Sequence, residues 1–393
     1  MNDAVVIDAV RSPLGRGKAG GALSALHPVE LLAQTIGALL TRSGIDPAQV
    51  EDVVTGCVNQ VGEQSANVGR MAWLAAGLPE HVPSVTVERK CGSSQQAVHF
   101  AAATIAAGHA DAIVVAGVES MSRVPMGANR IGADTHGPSV AARYAPGLVS
   151  QGIAAELVAA RWKLSREVLD EYAARSHHLA ATAADTGGFD HEIVPVTLPD
   201  GTFVDRDEGI RRGTTPETLA GLRTAFTDDA MLDRFPEIDW SVTAGNSSQI
   251  TDGAAAMLLV SDRFAAAHDL RPRARFRGFA VRGDDPLTML TAPIPATRQL
   301  LERTGTRIGD VEHYEVNEAF ASVPLAWQAE FDTDPGRLNP RGGAIALGHP
   351  LGASGVRLTT TMLGALEATG GRLGLQTMCE AGGTANALLL ERI

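Results

Sequence analysis

Two cysteines, a histidine and an asparagine have types and settings in this sequence that could support covalent chemistry. Cys91 stands between the end of a predicted strand (residues 85–87) and an alanine-rich helix predicted from about residue 95 to 107, with Val98, Ala102 and Ile105 on one face. A thiol there faces the free N–H groups and positive end of a helix. That position predicts a lowered pKa and thiolate near neutral pH. Gly92 lets backbone or substrate approach closely. A lone cysteine is more often buried and inert, so this stretch by itself leaves nucleophile and core residue evenly balanced.

The rest of the chain shifts that balance. His349 lies in the glycine-rich turn Gly343-Ala-Ile-Ala-Leu-Gly-His-Pro-Leu-Gly-Ala-Ser-Gly355, just ahead of another predicted helix. Alone it reads as structural; beside a thiolate it reads as a general base or ion-pair partner. Asn317, in Val316-Asn-Glu-Ala-Phe320, and Cys379, in Met378-Cys-Glu-Ala-Gly-Gly383, fall at two further strand ends.

These positions belong to a repeated pattern. Strands are predicted at residues 5–10, 53–56, 112–117, 254–260, 276–281, 311–316, 373–378 and 385–391. Helices are predicted at about 28–42, 62–74, 95–107, 295–304 and 352–368. Residues 125–245 are richer in Gly, Pro and charge, with a helical region at about 152–185 broken near Leu164 and Ser165. The helix-to-strand segments near 28–54 and 95–117 recur about 261 residues later, whereas the closing strands recur after only about 131. The difference is an insertion of roughly 130 residues in the first copy. The pattern predicts an α/β protein of two similar halves, packed as layers, with a lid inserted into the first. The expected division is residues 1–121 with 252–272 as the first half, 122–251 as the lid, and 273–393 as the second half.

Composition narrows the function. The 393 residues carry a net charge of −12, so no global basic field recruits nucleic acid. Lysine occurs only at 18, 90 and 163, leaving phosphate contacts mainly to arginine. Cys57, Cys91 and Cys379 are too few and too scattered for a disulfide framework or a CxxC metal site. No stretch approaches ~18 uninterrupted apolar residues. Neither a secretory leader nor a peroxisomal tripeptide is read at the ends. A cytoplasmic protein with no metal and no membrane partner is expected.

The ordered motifs resemble the thiolases, of the acetyl-CoA acyltransferase family, over essentially the whole chain. They are Ala9-Val-Arg-Ser-Pro-Leu-Gly-Arg16, Cys91-Gly-Ser, Gly117-Val-Glu-Ser-Met-Ser122, Ala244-Gly-Asn-Ser-Ser-Gln-Ile-Thr-Asp-Gly253, Asn317-Glu-Ala-Phe320, the turn around His349, and Cys379. The resemblance implies two βαβαβαββ halves in a layered αβαβα arrangement with a loop domain. It implies that Cys91 attacks the keto carbonyl of a 3-ketoacyl-CoA and carries the acyl group. His349 would take the thiol proton and bind the thioester oxygen. Cys379 would exchange a proton with the acetyl-CoA carbanion. Asn317 would hold a water that stabilises the enolate, and the N–H groups of Cys91 and Ala381 would form a second oxyanion hole.

The same resemblance assigns coenzyme A contacts to Arg223 and Ser248, and an acyl pocket to Met289 and Phe320. CoA is then a co-substrate, and no cofactor is permanently bound. The family usually has glycine at positions 94 and 381. Ser94 should fit a first helical turn, whereas Ala381 would cost ~1 kcal/mol if that position needs a positive φ. The stretches around Asn67 and Gln95 look more like degradative and steroid-pathway members, pointing to cleavage of a larger 3-ketoacyl-CoA. The alternatives are a short-chain, biosynthetic acetoacetyl-CoA thiolase and a non-catalytic acyl-CoA or sterol carrier. A homo-oligomer, dimer or tetramer, is expected, with residues 121–136 as the candidate tetramer contact.

Overall fold

The computed structural model describes residues 3–393. Nine strands form one continuous path: β1 (Ala4–Arg11), β2 (Asp52–Gly56), β3 (Ser84–Val87), β4 (Ala112–Ser120), β5 (Thr251–Ser261), β6 (Ala274–Gly283), β7 (His313–Val316), β8 (Leu373–Glu380) and β9 (Thr384–Arg392). Their order is β7-β8-β9-β6-β1-β5-β4-β2-β3, and the two-residue strand Gly15–Arg16 adds to β5. The path reads as one arrangement written twice. The inner order β1-β5-β4-β2 of the first half is matched by β6-β9-β8-β7 of the second, and β1 meets β6 antiparallel through Val5–Arg275 and Val6–Ala274. Only the first half adds a further edge strand, β3.

Eight main helices cover this sheet: α1 (Pro28–Ser43), α2 (Val68–Ala75), α3 (Ser93–Ala106), α4 (Gln151–Trp162), α5 (Arg166–Asp185), α6 (Pro293–Thr304), α7 (Ser322–Phe331) and α8 (Ser354–Thr369). Side-chain alternation along the strands creates the layers. On β4, Ala112, Val114, Ala116 and Val118 pack with Leu32, Ile36 and Leu39 of α1. Ile113 and Val115 face the other way, joining Val98 and Ile105 of α3 and Val356 and Leu363 of α8. On the second half, Val316, Leu375, Cys379 and Leu389 pack outward with Leu300 of α6 and Trp327 of α7. Helices α3 and α8 thus form a central layer between two half-sheets, giving the five-layer αβαβα order. Each large aliphatic side chain so buried contributes about 1.5–3 kcal/mol. The central helices approach closely because Gly355 has no side chain: a Cβ there would overlap the backbone nitrogen of Gln95.

The chain leaves the sheet after Ser120 and returns at Thr251, and Ser120 pairs directly with Asp252. The intervening segment carries α4 and α5, broken at Lys163 (φ 53) with Ser165 capping α5. Buried charge ties it down. The Arg11 guanidinium pairs with Glu192 at 2.6 Å and Asp207 at 2.7 Å. Glu156 accepts from the Ser241 and Val242 N–H groups at 3.0 and 2.9 Å.

One predicted helix is shorter than expected. Residues 62–64 form a 3₁₀ turn, and α2 begins only at Val68. Ala66 and Asn67 have φ values of 56° and 57°, which no α-helix accommodates, and Asn67 caps α2 through its side chain.

Candidate active site

The site residues come from loops at the strand ends of both halves. Cys91 occupies the tight turn from β3 into α3 and is buried, with Gly92 at the N-cap. The turn bonds itself: Gly92 N–H donates to Arg89 O at 3.0 Å and Ser93 N–H to Lys90 O at 3.1 Å. Met378 of β8 and Met121 pack around the thiol.

The expectation of a low thiol pKa is overturned. Burial, followed by the charge of Glu380, pushes Cys91 up to about 12. The helix dipole loses because desolvation of a buried thiolate is the larger effect, and an acid of the second half lies close by. Burial, with the charge of Cys91 next, also pushes Cys379 well above its usual range. Cys57, buried beside Gly352, is raised in the same way.

His349 is held from several sides. Its N–H donates to Gln249 O at 3.1 Å and to Thr251 Oγ1 at 3.0 Å. Gly348 precedes it at φ 117°, and a Cβ on Gly348 would overlap Thr251. The ring Nδ1 lies 2.6 Å from Ser354 Oγ, and that hydroxyl donates to Pro350 O at 2.8 Å. The hydroxyl has one hydrogen and the carbonyl can only accept. Nδ1 therefore carries the ring proton, leaving Nε2 as the accepting nitrogen, turned toward Asn317 Nδ2. Burial, then the nearby Arg357, lowers His349 to about 3. Cys91 accordingly rests as a neutral thiol and His349 as a neutral imidazole, the latter in the tautomer that can accept a proton at Nε2.

Asn317 Nδ2 lies 3.4 Å from His349 Nε2. Asn317 is fully buried, and its Oδ1 has no hydrogen-bond partner. Such an atom suits a bound water that donates to it. The neighbouring Glu318 fastens this loop to the lid, accepting from Tyr172 OH at 3.0 Å, Ser176 Oγ at 2.7 Å and Ile345 N–H at 3.1 Å.

The structure sets Cys379 within the charge influence of Cys91, and Asn317 against His349. Met289 and Phe320 are buried in the core region that contains Cys379. Phe226 meets Phe320 edge-on at 6.0 Å between ring centres. Ser248 is half-buried, its N–H donating to Ala319 O at 2.9 Å. Arg223 is exposed, on the segment after Pro216–Ala220 that leads to Phe226. At the other departure from family pattern, the positive φ values fall on Gly382 (95°) and Gly383 (82°), not on Ala381. The anticipated cost at Ala381 does not arise. A 700 Å³ cavity between Thr182, Gly188, Arg341 and Glu367 touches none of these residues.

Ser354, Glu119 and Glu380 lie inside the quoted motifs or polar clusters, and their roles emerge only from the tertiary contacts. For the two glutamates a signal existed: they occupy the same position of the repeat, about 261 residues apart.

Comparison with known proteins agrees over the full length. The family described as "Thiolase, N-terminal domain" matches residues 4–263, and "Thiolase, C-terminal domain" matches residues 270–392. A steroid 3-ketoacyl-CoA thiolase, FadA6, of Mycobacterium tuberculosis is 48% identical, covering 100% of this chain and 95% of that protein. A 3-ketoacyl-CoA thiolase of Serratia proteamaculans is 42% identical, with both chains covered completely. The crystal structure of an acetyl-CoA acetyltransferase from Bacillus anthracis superposes with a TM-score of 0.89 at 36% identity, covering 100% of this chain and 99% of that one. With both family domains matched in order on a duplicated layered fold, the chain belongs to the thiolase family.

Proposed function

We infer that this protein is a thiolase, an acyltransferase that cleaves 3-ketoacyl-CoA with CoA into acetyl-CoA and a shortened acyl-CoA. The observation that carries the reading is the neutral His349, its accepting Nε2 beside Asn317, in the same duplicated core as the buried thiols of Cys91 and Cys379. Cys91 gives its proton to His349 as it attacks the keto carbon. The bond between the α- and β-carbons then breaks, leaving the acyl group on Cys91. Cys379 donates a proton to the departing acetyl-CoA enolate. Asn317 holds a water through its free Oδ1, and that water with His349 stabilises the enolate oxygen. The N–H groups of Cys91 and Ala381 serve the other oxyanion. Coenzyme A then gives its thiol proton to the Cys379 thiolate and attacks the acyl-enzyme, and His349 returns its proton to the departing Cys91 sulfur.

Arg223 and Ser248 contact CoA, and Met289 and Phe320 line the acyl channel. CoA comes and goes as a co-substrate, and no cofactor is resident. The likeness to a steroid 3-ketoacyl-CoA thiolase favours a bulky acyl group over a short one. Residues 1–121 with 252–272, 122–251, and 273–393 are the first half, lid and second half. Among the described residues no helix is long and apolar enough to cross a membrane, in keeping with work in the cytoplasm. The protein functions as a homo-oligomer. Edge strand β3 presents exposed Val85, and Met71, Leu74 and Phe100 are exposed nearby in sequence. Residues 121–136, with Met126 and Ile131 exposed, supply a further contact for a tetramer.

The test is chemical. Incubation with a 3-ketoacyl-CoA but no free CoA leaves an acyl mass on the peptide containing Cys91. Cys91→Ser loses about 10³-fold or more in turnover while still binding CoA. Full turnover in that variant eliminates the covalent route.

A further inference from the structure

The second half reaches across to the nucleophile through one acid. Glu380 is the last residue of β8 and is fully buried. Alternation on β8 turns Leu375 and Cys379 outward and Met378 and Glu380 inward, toward α3. The Glu380 carboxyl lies against Gly92, the residue after the nucleophile: a Cβ on Gly92 would overlap Oε1 and sit 2.9 Å from Cδ. Its other oxygen, Oε2, accepts from Thr384 Oγ1 at 2.6 Å. The Asn386 amide, oriented so that both its ends are satisfied, donates to Glu380 Oε1 and accepts from Gln96 N–H at 3.3 Å. A chain of contacts thus runs from Glu380 through Asn386 into the first turn of α3.

We propose that Glu380 is a positioning residue for Cys91, whose carboxyl braces the nucleophile's turn while neutral and suppresses the thiolate once ionised. This rests on the reading of Cys91 as nucleophile. The charges around the carboxyl support the neutral state. Burial is the dominant influence and raises Glu380 to about 8; Arg89 opposes it, and Glu88 adds to it. Arg89 and Glu88 precede Cys91 on the β3–α3 turn, and Lys90 there bonds outward to Glu88 at 3.2 Å. The α3 side contributes only Gln96, β9 contributes Thr384 and Asn386, and β8 itself contributes Cys379. From β4, Glu119 is a weaker influence on Cys91 than Glu380. Below about pH 8 the carboxyl is neutral and leaves the thiol free to ionise; above it the carboxylate opposes the thiolate.

The experiment is the pH profile of Cys91 alkylation by iodoacetamide in the intact protein, read by peptide mass, for the native protein, Glu380→Gln and Thr384→Val. The native rate should rise with pH and bend near 8. Glu380→Gln should lose the bend and react about tenfold faster at pH 9, equivalent to one unit in the thiol. Thr384→Val removes a donor to the carboxylate, so its bend should move to higher pH. A Glu380→Gln profile that superimposes on the native one overturns the proposal, as does a Thr384→Val bend that moves down or stays. Failure of the nucleophile reading is distinct: no acyl mass would appear on Cys91 with 3-ketoacyl-CoA, whatever the alkylation profiles show.

Discussion

The same strand position carries a glutamate in each half, and the two have different surroundings. Glu119, near the end of β4, accepts five hydrogen bonds: from the N–H groups of Val58, Asn59 and Gly352 and from the side chains of Asn59 and Gln64. It sits in a complete nest of donors, and it pins the His349 turn of the second half to the first. Glu380 has Thr384 and Asn386 as partners, and the nucleophile's turn lies against it. The contrast repeats at neighbouring positions of the repeat. Val118 is core where Cys379 is the second thiol, Gly56 stands where Asn317 does, and Gly352 where Cys91 does. Duplication supplied two equivalent frames, and Cys91, Cys379 and Asn317 each have a counterpart that fills space or lets the other half approach. A site built this way is asymmetric by substitution while its scaffold stays symmetric.

The comparison is most sharply broken by exchanging chemistry for packing at matched positions. Cys379→Ala should lower thiolysis of a 3-ketoacyl-CoA by about 10²-fold while leaving acyl exchange between CoA thioesters nearly intact. Val118→Ala should do the reverse, costing roughly 1–3 kcal/mol of stability with thiolysis kept. Both assays on both variants check this. Equal losses of exchange and thiolysis in Cys379→Ala would make that thiol structural.

Stability distinguishes the glutamates. Glu119→Ala leaves buried donors of two loops without their acceptor, a loss of about 3–5 kcal/mol in urea unfolding. Glu380→Gln, measured the same way, should gain stability relative to the native protein as pH rises from about 4.5 to 8. The reason is linkage: the folded state holds the Glu380 proton up to about 8 while the unfolded chain releases it near 4.5, so rising pH erodes native stability through that window. Equal pH dependence in the two proteins would show that Glu380 is ionised throughout.

The smallest expected difference concerns the central helices. Ser94 Oγ accepts from Val356 N–H at 3.1 Å, so Ser94→Ala should cost about 1 kcal/mol. Its counterpart, Gly355, has no room for a methyl group against Gln95. Gly355→Ala should cost about 1–3 kcal/mol from overpacking. Reversal of that order in thermal unfolding would mean that the helices separate easily.

Much of this was legible in the chain. The strand at Ala112–Ser120, the helix at Pro28–Ser43 with its glycine stop, and the break between α4 and α5 follow from local periodicity and caps, which depend on near neighbours only. The start of α2 was not legible, because Ala66 and Asn67 take positive φ values only where the surrounding loop demands them. Cys91, His349, Cys379 and Asn317 could be picked out by residue type, by their places at strand ends and by family resemblance. Their protonation could not. The helix-start rule gave the wrong direction for Cys91, since it counts a local dipole and omits the burial imposed by the other half.

The sequence by itself determined the duplicated frame, the inserted segment, the family and the candidate reactive side chains, because each is carried by local pattern or by ordered motifs. Only the tertiary structure decided which groups face one another: Ser354 setting the His349 tautomer, Glu119 joining the two halves, and Glu380 lying against Gly92. Those contacts link residues from separate segments or depend on the exact path of a turn. Desolvation is likewise a property of the packed whole, so the charge states of Cys91 and His349 exist only once both half-sheets have closed on α3 and α8.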